Sequence, residues 1–334
     1  QRFVDAAHGA GLSVCLDVVY NHMGPEGNYL REFGPYFTSR HRSPWGDGLN
    51  FDGEDAGPVR AFMIEAAVQW IRDFHVDALR LDAVHAIQDD SPRHLVAELS
   101  AAVHAAAKEQ GRAGHIIAES DLNDRKLVEP PPDGWGVSTV WADDLHHAVH
   151  ALLTGEDASF YQDYGGPEHV VKALEEGFVL QGDHSAFRGK PHGTPTDGLS
   201  PSRFVVCAQN HDQVGNRPHG ERLSVLVPTD ALPAIAALTT LGSGLPMIFM
   251  GEEYGETRPF LYFTSHDDPD LARAVSEGRE KEFIAAGEKE VPDPQDARTF
   301  EASRLSHRRD GAHGALRETY RALLAMRRKH LEGI

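Results

Sequence analysis

The stretch LRLDAVH, Leu79 to His85, decides which folds this sequence can adopt. Its apolar alternation predicts a buried strand, yet Arg80 and Asp82 lie inside it, two residues apart. Side chains alternate across a strand, so both charges point to the same face. Two buried charges are tolerated only if they are paired or used in chemistry. Considered alone, the pattern favours a structural ion pair, so its neighbours must decide.

The composition bounds the class of protein. The chain has 334 residues, 40% of them apolar and 25% charged, which fits one large α/β domain or two small ones. A net charge of −19 argues against a nucleic-acid partner or an anionic membrane and suits a neutral ligand. Cys15 and Cys207 each lie in an apolar strand-like run, so we expect two core thiols rather than a disulfide framework.

Short apolar runs recur along the chain, each followed by a polar loop and a helical pattern. This alternation predicts parallel strands with right-handed crossovers. The runs are SVCLDVV (13–19), DALRLDA (77–83), HIIAES (115–120), VSTVWA (137–142), RFVVCAQ (203–209) and LPMIFM (245–250). The helical patterns cover 58–75, 91–110, 143–154, 167–179, 230–241 and 315–330.

Two architectures could hold such a pattern, an open doubly wound sheet and a (β/α)₈ barrel. No glycine-rich phosphate loop follows any of the runs, which disfavours a nucleotide-binding open sheet. Acidic and polar residues instead follow several different runs, and catalytic groups drawn from many strand ends are typical of the barrel.

The chain shows neither a signal peptide nor a convincing membrane span. Residues 231–251 carry no charge, but prolines and glycines interrupt them, so we expect a buried helix, a turn and a short strand there. A cytoplasmic location is the default expectation. The first residue is Gln1 and a helical pattern is already under way, so we expect the sequence to be an excerpt of a longer protein.

Three acidic residues each end a different run: Asp82, Glu119 and Asp212. In a barrel they would converge at one end. Arg80 next to Asp82 favours an ionised aspartate, which suits a nucleophile. Glu119 follows the apolar HIIA with no cation beside it in sequence, which suits a protonated general acid. That pair of roles is typical of a retaining glycosidase, although a lone glutamate at a strand end is more often a helix cap or a solvated residue.

Four segments together resemble the four short motifs of the α-amylase superfamily of glycoside hydrolases, in the same order. They are DVVYNH (17–22), ALRLDAVH (78–85), IIAES (116–120) and VCAQNHD (206–212). PMIFMGEE (246–253) is similar to the superfamily's last barrel strand. The resemblance implies a (β/α)₈ TIM barrel, incomplete here, with strands 3 to 8 present and strands 1 and 2 missing. It also implies that residues 1–334 form one catalytic domain, without the superfamily's N-terminal β-sandwich and C-terminal β-domain.

The resemblance also implies roles for single residues. Asp82 would be the nucleophile, Glu119 the acid/base, and Asp212 the carboxylate that holds sugar hydroxyls and stabilises the transition state. Asp17 and Asn21 would mainly support the first motif. Because the remaining calcium ligands of some α-amylases are not recognisable beside Asn21, we predict no metal, and no cofactor. The implied substrate-binding residues are Tyr20, His22, Arg80, His85, Asp121 and His211.

The loop sequences narrow the resemblance. GPEGNYL (24–30), YFTSRHRSPWGDGLNFDG (36–53) and MGEEYGETRPFLYFTSHDDPDL (250–271) are similar to maltooligosyltrehalose trehalohydrolases. Such enzymes cut the α-1,4 bond next to a terminal trehalose and release trehalose. Ser120-Asp121 departs from the expected Asn-Glu type of pair, which puts the contacts beside the acid/base in doubt.

Two alternatives stay open. One is another α-glucan-active enzyme, such as a debranching enzyme or an α-amylase. The other is a non-catalytic amylase-like binding domain, which the presence of all three carboxylates disfavours. Aromatic rings could stack on sugar faces or simply pack in the core. The candidates are Tyr20, Trp45, Trp141 and Tyr254.

Overall fold

The computed structural model describes residues 1–43, 46–285, 287 and 290–331. The chain divides into two compact units. The first comprises Gln1–Ala142, Leu180–His184 and Pro191–Val205, and the second comprises Asp143–Val179, Ser185–Lys190 and Val206–Ile334.

Strands and helices alternate along much of the chain. The strands of the described residues are β1 (Cys15–Val18), β2 (Phe37–Ser43), β3 (Gly46–Leu49), β4 (Ala78–Leu81), β5 (His115–Ala118), β6 (Thr139–Ala142), β7 (Asp183–Ser185), β8 (Lys190–His192), β9 (Phe204–Val206) and β10 (Leu245–Pro246). The helices are α1 (Arg2–Gly9), α2 (Ala56–Arg72), α3 (Leu95–Glu109), α4 (Asp144–Thr154), α5 (Pro167–Glu176), α6 (His211–Gly215), α7 (Leu223–Leu226), α8 (Leu232–Leu241), α9 (Pro269–Ala285), α10 (Ala297–Ala302) and α11 (Gly311–His330).

A parallel sheet organises the first unit. Its strands lie in the order β1-β4-β5-β6, and neighbouring strands run parallel. All four residues of β4 are buried, as expected for a strand covered on both faces. The register sets Asp17 beside Arg80 and Arg80 beside Ile117, which fixes where the charges of β1 and β4 meet.

Helices α2 and α3 pack against each other in the first unit because each presents one apolar stripe. Val59, Met63 and Ala67 recur every four residues on α2 and are buried. The buried Leu95, Leu99 and Val103 do the same on α3. The long connection before α2 also contains a hairpin of β2 and β3, which the sequence analysis did not predict.

In the second unit, helices α8 and α11 pack around Ala236, Leu316 and Tyr320. Arg327 on α11 donates to the carbonyls of Thr240 at 3.0 Å and Gly242 at 2.7 Å, and so satisfies acceptors left open where α8 ends. Among the described helices, none combines the length and the apolar character needed to cross a membrane.

The α/β prediction with parallel strands is confirmed, and each of the six predicted runs contains a strand. The observed strands are shorter than the runs, because the ends of the runs turn into the loops. Cys207 is buried as expected, but the expectation for Cys15 is wrong because its side chain is exposed. The physical reason is that β1 is the outermost strand of the order in the first unit, so a side chain there lacks a neighbour on one side.

Candidate active site

Arg80 is the centre of the charged cluster in the first unit. The residue is only 4% exposed. Its Nη1 donates to Asp17 Oδ1 at 2.8 Å and to Asp82 Oδ1 at 2.9 Å. Its Nη2 lies 3.3 Å from Glu119 Oε2. One guanidinium therefore contacts carboxylates from three neighbouring strand ends.

The surroundings of Arg80 keep it charged. Burial lowers the pKa of Arg80, but the hydrogen bond to Asp17 and the charges of Glu119 and Asp82 outweigh burial and raise it above its ordinary value. The guanidinium carbon also lies 4.3 Å from the centre of the Trp141 ring, within cation–π range. A permanent positive charge is thus fixed next to the carboxyl groups of Asp82 and Glu119.

Asp82 is held at both of its carboxylate oxygens. Arg80 donates to Oδ1, and Asn21 Nδ2 donates to Oδ2 at 2.8 Å and to the Asp82 carbonyl at 2.7 Å. The side chain is nevertheless 27% exposed. These contacts orient a carboxylate that a ligand could still reach.

Glu119 ends β5 and turns towards the residues that follow Asp82. Its Oε2 accepts a hydrogen bond from Ala83 N at 2.5 Å, and its carbonyl accepts one from Val84 N at 3.0 Å. Ala83 has a φ of 38°, the left-handed region that costs a non-glycine residue of the order of 1 kcal/mol. The strained turn directs the Ala83 N–H group towards the Glu119 carboxyl. The Glu119 side chain is 16% exposed.

The predicted contrast between Asp82 beside a cation and Glu119 without one is wrong. Arg80 contacts both, because β4 and β5 are parallel neighbours and the arginine side chain reaches across the gap. What distinguishes the two carboxyls is their other partners: Asn21 for Asp82 and the Ala83 backbone for Glu119.

The contact of Asn21 with Asp82 was not predicted from the sequence. Asn21 was expected to be mainly a structural support, whereas it binds Asp82 directly. Its Oδ1 accepts a hydrogen bond from His22 Nδ1. Burial lowers the pKa of His22, although the charge of Asp82 opposes this, so the ring is neutral near pH 7. The hydrogen bonds from His22 to Asn21 and from Asn21 to Asp82 fix the orientation of the Asn21 amide, since it must accept on one side and donate on the other.

Of the remaining candidates in the first unit, His85 and Asp121 lie close to these carboxyls in sequence, and Tyr20 directly precedes Asn21. His85 Nδ1 is 3.6 Å from Asp121 Oδ1. Tyr20 is buried, and burial raises the pKa of Tyr20 to about 12, so its phenol keeps the proton. Trp45 lies outside the described residues.

Tyr254, in the second unit, is fully buried and donates to Glu256 Oε2 at 3.0 Å, which makes it a packing residue there.

His211 and Asp212 lie in the second unit, at the start of α6. Asn210 caps this helix by accepting from Asp212 N at 2.8 Å, and Gln213 Oε1 accepts from Asn210 N at 3.1 Å, so a capping box forms. His211 Nε2 lies 3.5 Å from Asp212 Oδ1. The Asp212 side chain is 43% exposed, which leaves its carboxylate accessible.

One group in the described part of the chain has the composition of a metal site. The candidate ligand atoms of His41, Asp52 and Asp90 lie within 4.8 Å of one another. However, His41 Nε2 contacts Asp52 Oδ2 at 2.9 Å, and Arg40 Nη2 contacts Asp90 Oδ2 at 2.9 Å. The cluster is therefore an ion-pair network in which Arg40 supplies positive charge, and we assign no metal to it.

The chain is similar to known proteins over nearly its whole length. It is 47% identical over 335 residues to the malto-oligosyltrehalose trehalohydrolase of Rhizobium sp. (strain M-11), covering 98% of this chain and 56% of that protein. It is 49% identical over 335 residues to the malto-oligosyltrehalose trehalohydrolase of Arthrobacter ramosus, covering 98% of this chain and 58% of that protein. The chain thus spans little more than half the length of these curated relatives.

A solved structure agrees with the sequence comparison. A protein from Salmonella typhimurium, provisionally described as an alpha amylase, superposes with a TM-score of 0.89 at 41% identity, covering 98% of this chain and 56% of that one. No family model matches the chain. By sequence and by structure, the predicted resemblance of this chain to the α-amylase superfamily, and within it to the maltooligosyltrehalose trehalohydrolases, is confirmed.

Proposed function

We propose that this chain carries the catalytic centre of a retaining glycoside hydrolase that cleaves the α-1,4 glucosidic bond next to the terminal trehalose of maltooligosyltrehalose. The observation that carries the proposal is the shared contact of Arg80 with Asp82 and Glu119 at adjacent strand ends. The names of the two relatives, both malto-oligosyltrehalose trehalohydrolases, support the choice of substrate.

Asp82 would attack the anomeric carbon while Glu119 protonates the leaving oxygen. A covalent β-glucosyl-enzyme forms, and water activated by Glu119, now the base, hydrolyses it with net retention of configuration. Retention requires the two carboxyls to lie roughly 5–5.5 Å apart. Hydrogen bonds from Arg80 and Asn21 hold the Asp82 carboxylate oriented for the attack.

The other candidate residues take their roles from the motifs. Asp212 would bind sugar hydroxyls and stabilise the positive charge that develops on the ring. The sugar would also contact the remaining candidates from the sequence analysis. These are Tyr20, His22, His85, Asp121 and His211.

We also propose that the six strands β1, β4, β5, β6, β9 and β10 correspond to strands 3 to 8 of an incomplete (β/α)₈ barrel within one catalytic domain. Their order along the chain and the alternation with helices support this assignment. A cytoplasmic location remains our expectation for the protein.

The test is product analysis with the full-length protein. The wild type should release trehalose from maltooligosyltrehalose with little reducing sugar from starch; the reverse would favour an α-amylase or debranching enzyme. Asp82→Asn removes the attacking charge but keeps the shape, and should lower kcat roughly 10⁴-fold.

Asp77→Asn is the matched control. Asp77 directly precedes β4, at the end of the strand opposite to Asp82. It accepts a hydrogen bond from Val14 N at 2.7 Å and pairs with Arg112 at 2.8 Å. The control therefore removes the same charge from a residue next to the same strand. This variant should have the wild-type kcat under all conditions in which it is folded. Near-normal turnover of Asp82→Asn would reject Asp82 as the nucleophile.

A further inference from the structure

Helix α4 buries histidines that the proposed chemistry does not use. His146 and His150 on this helix are both almost fully buried. His146 Nδ1 lies 2.5 Å from the carbonyl oxygen of Ala208, and its Nε2 lies 2.8 Å from the Tyr161 hydroxyl. Both contacts are within the second unit.

The protons of this chain of hydrogen bonds can be assigned. A carbonyl oxygen only accepts, so His146 Nδ1 must carry hydrogen and donate to Ala208. Burial lowers the pKa of His146 to about 3, so the ring is neutral and Nε2 is an acceptor. Burial raises the pKa of Tyr161, so its hydroxyl keeps its proton and donates to Nε2. The only consistent direction runs from Tyr161 through His146 to Ala208.

Ala208 begins the segment that carries Asp212, here called the 208–212 segment. Gln209 Nε2 donates to Glu252 Oε2 at 3.3 Å, and Gln209 Oε1 accepts from Leu223 N at 3.1 Å. Asn210 Nδ2 donates to Asp143 Oδ1 at 3.3 Å. The side chains at 209 and 210 are thus anchored, and His146 anchors the backbone just before them.

We propose that His146 is a positioning residue for Asp212: by donating to the Ala208 carbonyl, it fixes the 208–212 segment and so the direction of the Asp212 carboxylate. The inference rests on the proposed function, which gives Asp212 its role at the sugar. His146 touches no substrate in this scheme and acts only through the backbone of the segment.

His150 provides the matched comparison, because it lies one turn further along the same helix and is buried to the same extent. Its Nε2 contacts Glu156 Oε2 at 2.9 Å, and Glu156 is in turn held by Arg217 at 3.0 Å. The His150 ring also stacks on the Tyr161 ring, with centroids 4.4 Å apart, but within the described residues it makes no hydrogen bond to the 208–212 segment. A purely structural role for buried histidines predicts equal effects at both positions. A positioning role predicts an effect on turnover only at His146.

The experiment compares His146→Leu, His146→Asn and His150→Leu in the full-length protein. Melting temperatures are measured first, and kcat and KM on maltooligosyltrehalose are then measured well below the lowest one. His146→Leu should lower kcat roughly 10- to 100-fold with KM changed less than about threefold, since small misplacements of a catalytic group cost this much. His146→Asn keeps a donor near the Nδ1 position and should recover part of the loss.

His150→Leu should keep kcat within about twofold of the wild type. Equal kcat values for the two leucine variants at equal loss of melting temperature would overturn the inference. Amide hydrogen exchange supplies a readout independent of activity: His146→Leu should speed exchange at residues 209–213, and His150→Leu should not. A wild type that releases no trehalose rejects the proposed function, and the exchange rates still decide the role of His146.

Discussion

Glu252 makes the stability of the second unit depend on pH in a way that can be calculated. Burial raises the pKa of Glu252 to about 7 from the ordinary 4.5, although hydrogen bonds from Tyr320 and Gln209 lower it. Below pH 4.5 the folded and unfolded states both hold the proton. Between pH 4.5 and 7 the folded state holds more of it, so the free energy of unfolding falls as pH rises.

The size of the effect follows from the two pKa values. Each pH unit between them is worth about 1.4 kcal/mol, so the full loss is about 3 kcal/mol, of which about 2.5 kcal/mol falls between pH 5 and pH 8. Glu252→Gln cannot titrate and removes this component. The amide can keep its oxygen towards Gln209 Nε2 and turn its NH₂ group towards the Tyr320 hydroxyl, and any change in stability that this causes does not depend on pH.

The assay is urea unfolding of the wild type and Glu252→Gln at several pH values from 5 to 8. The stability of the variant relative to the wild type should increase by about 2.5 kcal/mol across this range. Tyr320→Phe is the companion variant: it removes a hydrogen bond that lowers the pKa of Glu252, so the loss of stability should extend to higher pH. Parallel pH profiles for wild type and Glu252→Gln would show that the pKa of Glu252 is not raised in the folded protein.

Two further predictions concern the first unit. Arg80→Lys keeps the charge but lacks the planar fork whose Nη1 reaches Asp17 and Asp82 while Nη2 lies beside Glu119. We expect kcat to fall roughly 100-fold while circular dichroism stays native. A lysine variant with near-normal activity would contradict the role of the fork. Gly193→Ala would place a Cβ 1.9 Å from the Leu180 carbonyl oxygen, at a φ of +80°. Gly198 is the matched control, since its φ is +79° and an added Cβ would meet nothing within 4 Å. Gly193→Ala should therefore lower the free energy of unfolding by at least about 2 kcal/mol more than Gly198→Ala, and equal urea midpoints would show that the clash relaxes.

The sequence predicted the elements of the fold well because hydrophobic periodicity is a local signal. The runs around β4 and β5 could be recognised from their own residues, and Asp82 and Glu119 were placed at their ends. The exposed Cys15 could not be predicted, because apolar neighbours in sequence do not reveal that β1 is outermost.

The same limit applies to the candidate site. The contact of Arg80 with Glu119 depends on which strands are neighbours, and the contact of Asn21 with Asp82 joins residues 61 positions apart. The positive φ of Ala83 gives no sequence signal, since alanine is not a residue that favours the left-handed region. Motif order identified the charged groups, but only strand pairing shows which of them touch.

The hydrogen bonding of Arg80 leaves donors open beside the carboxyls of Asp82 and Glu119. A guanidinium has five N–H donors, yet within the described residues Arg80 Nε and Nη2 lack hydrogen-bond partners, even though Nη2 lies near Glu119. Each unsatisfied buried donor costs about 1–3 kcal/mol, and buried ion pairs can often be replaced by apolar residues without loss. The arrangement leaves the Asp82 carboxylate oriented and partly exposed, which supports the role of nucleophile that we propose for Asp82.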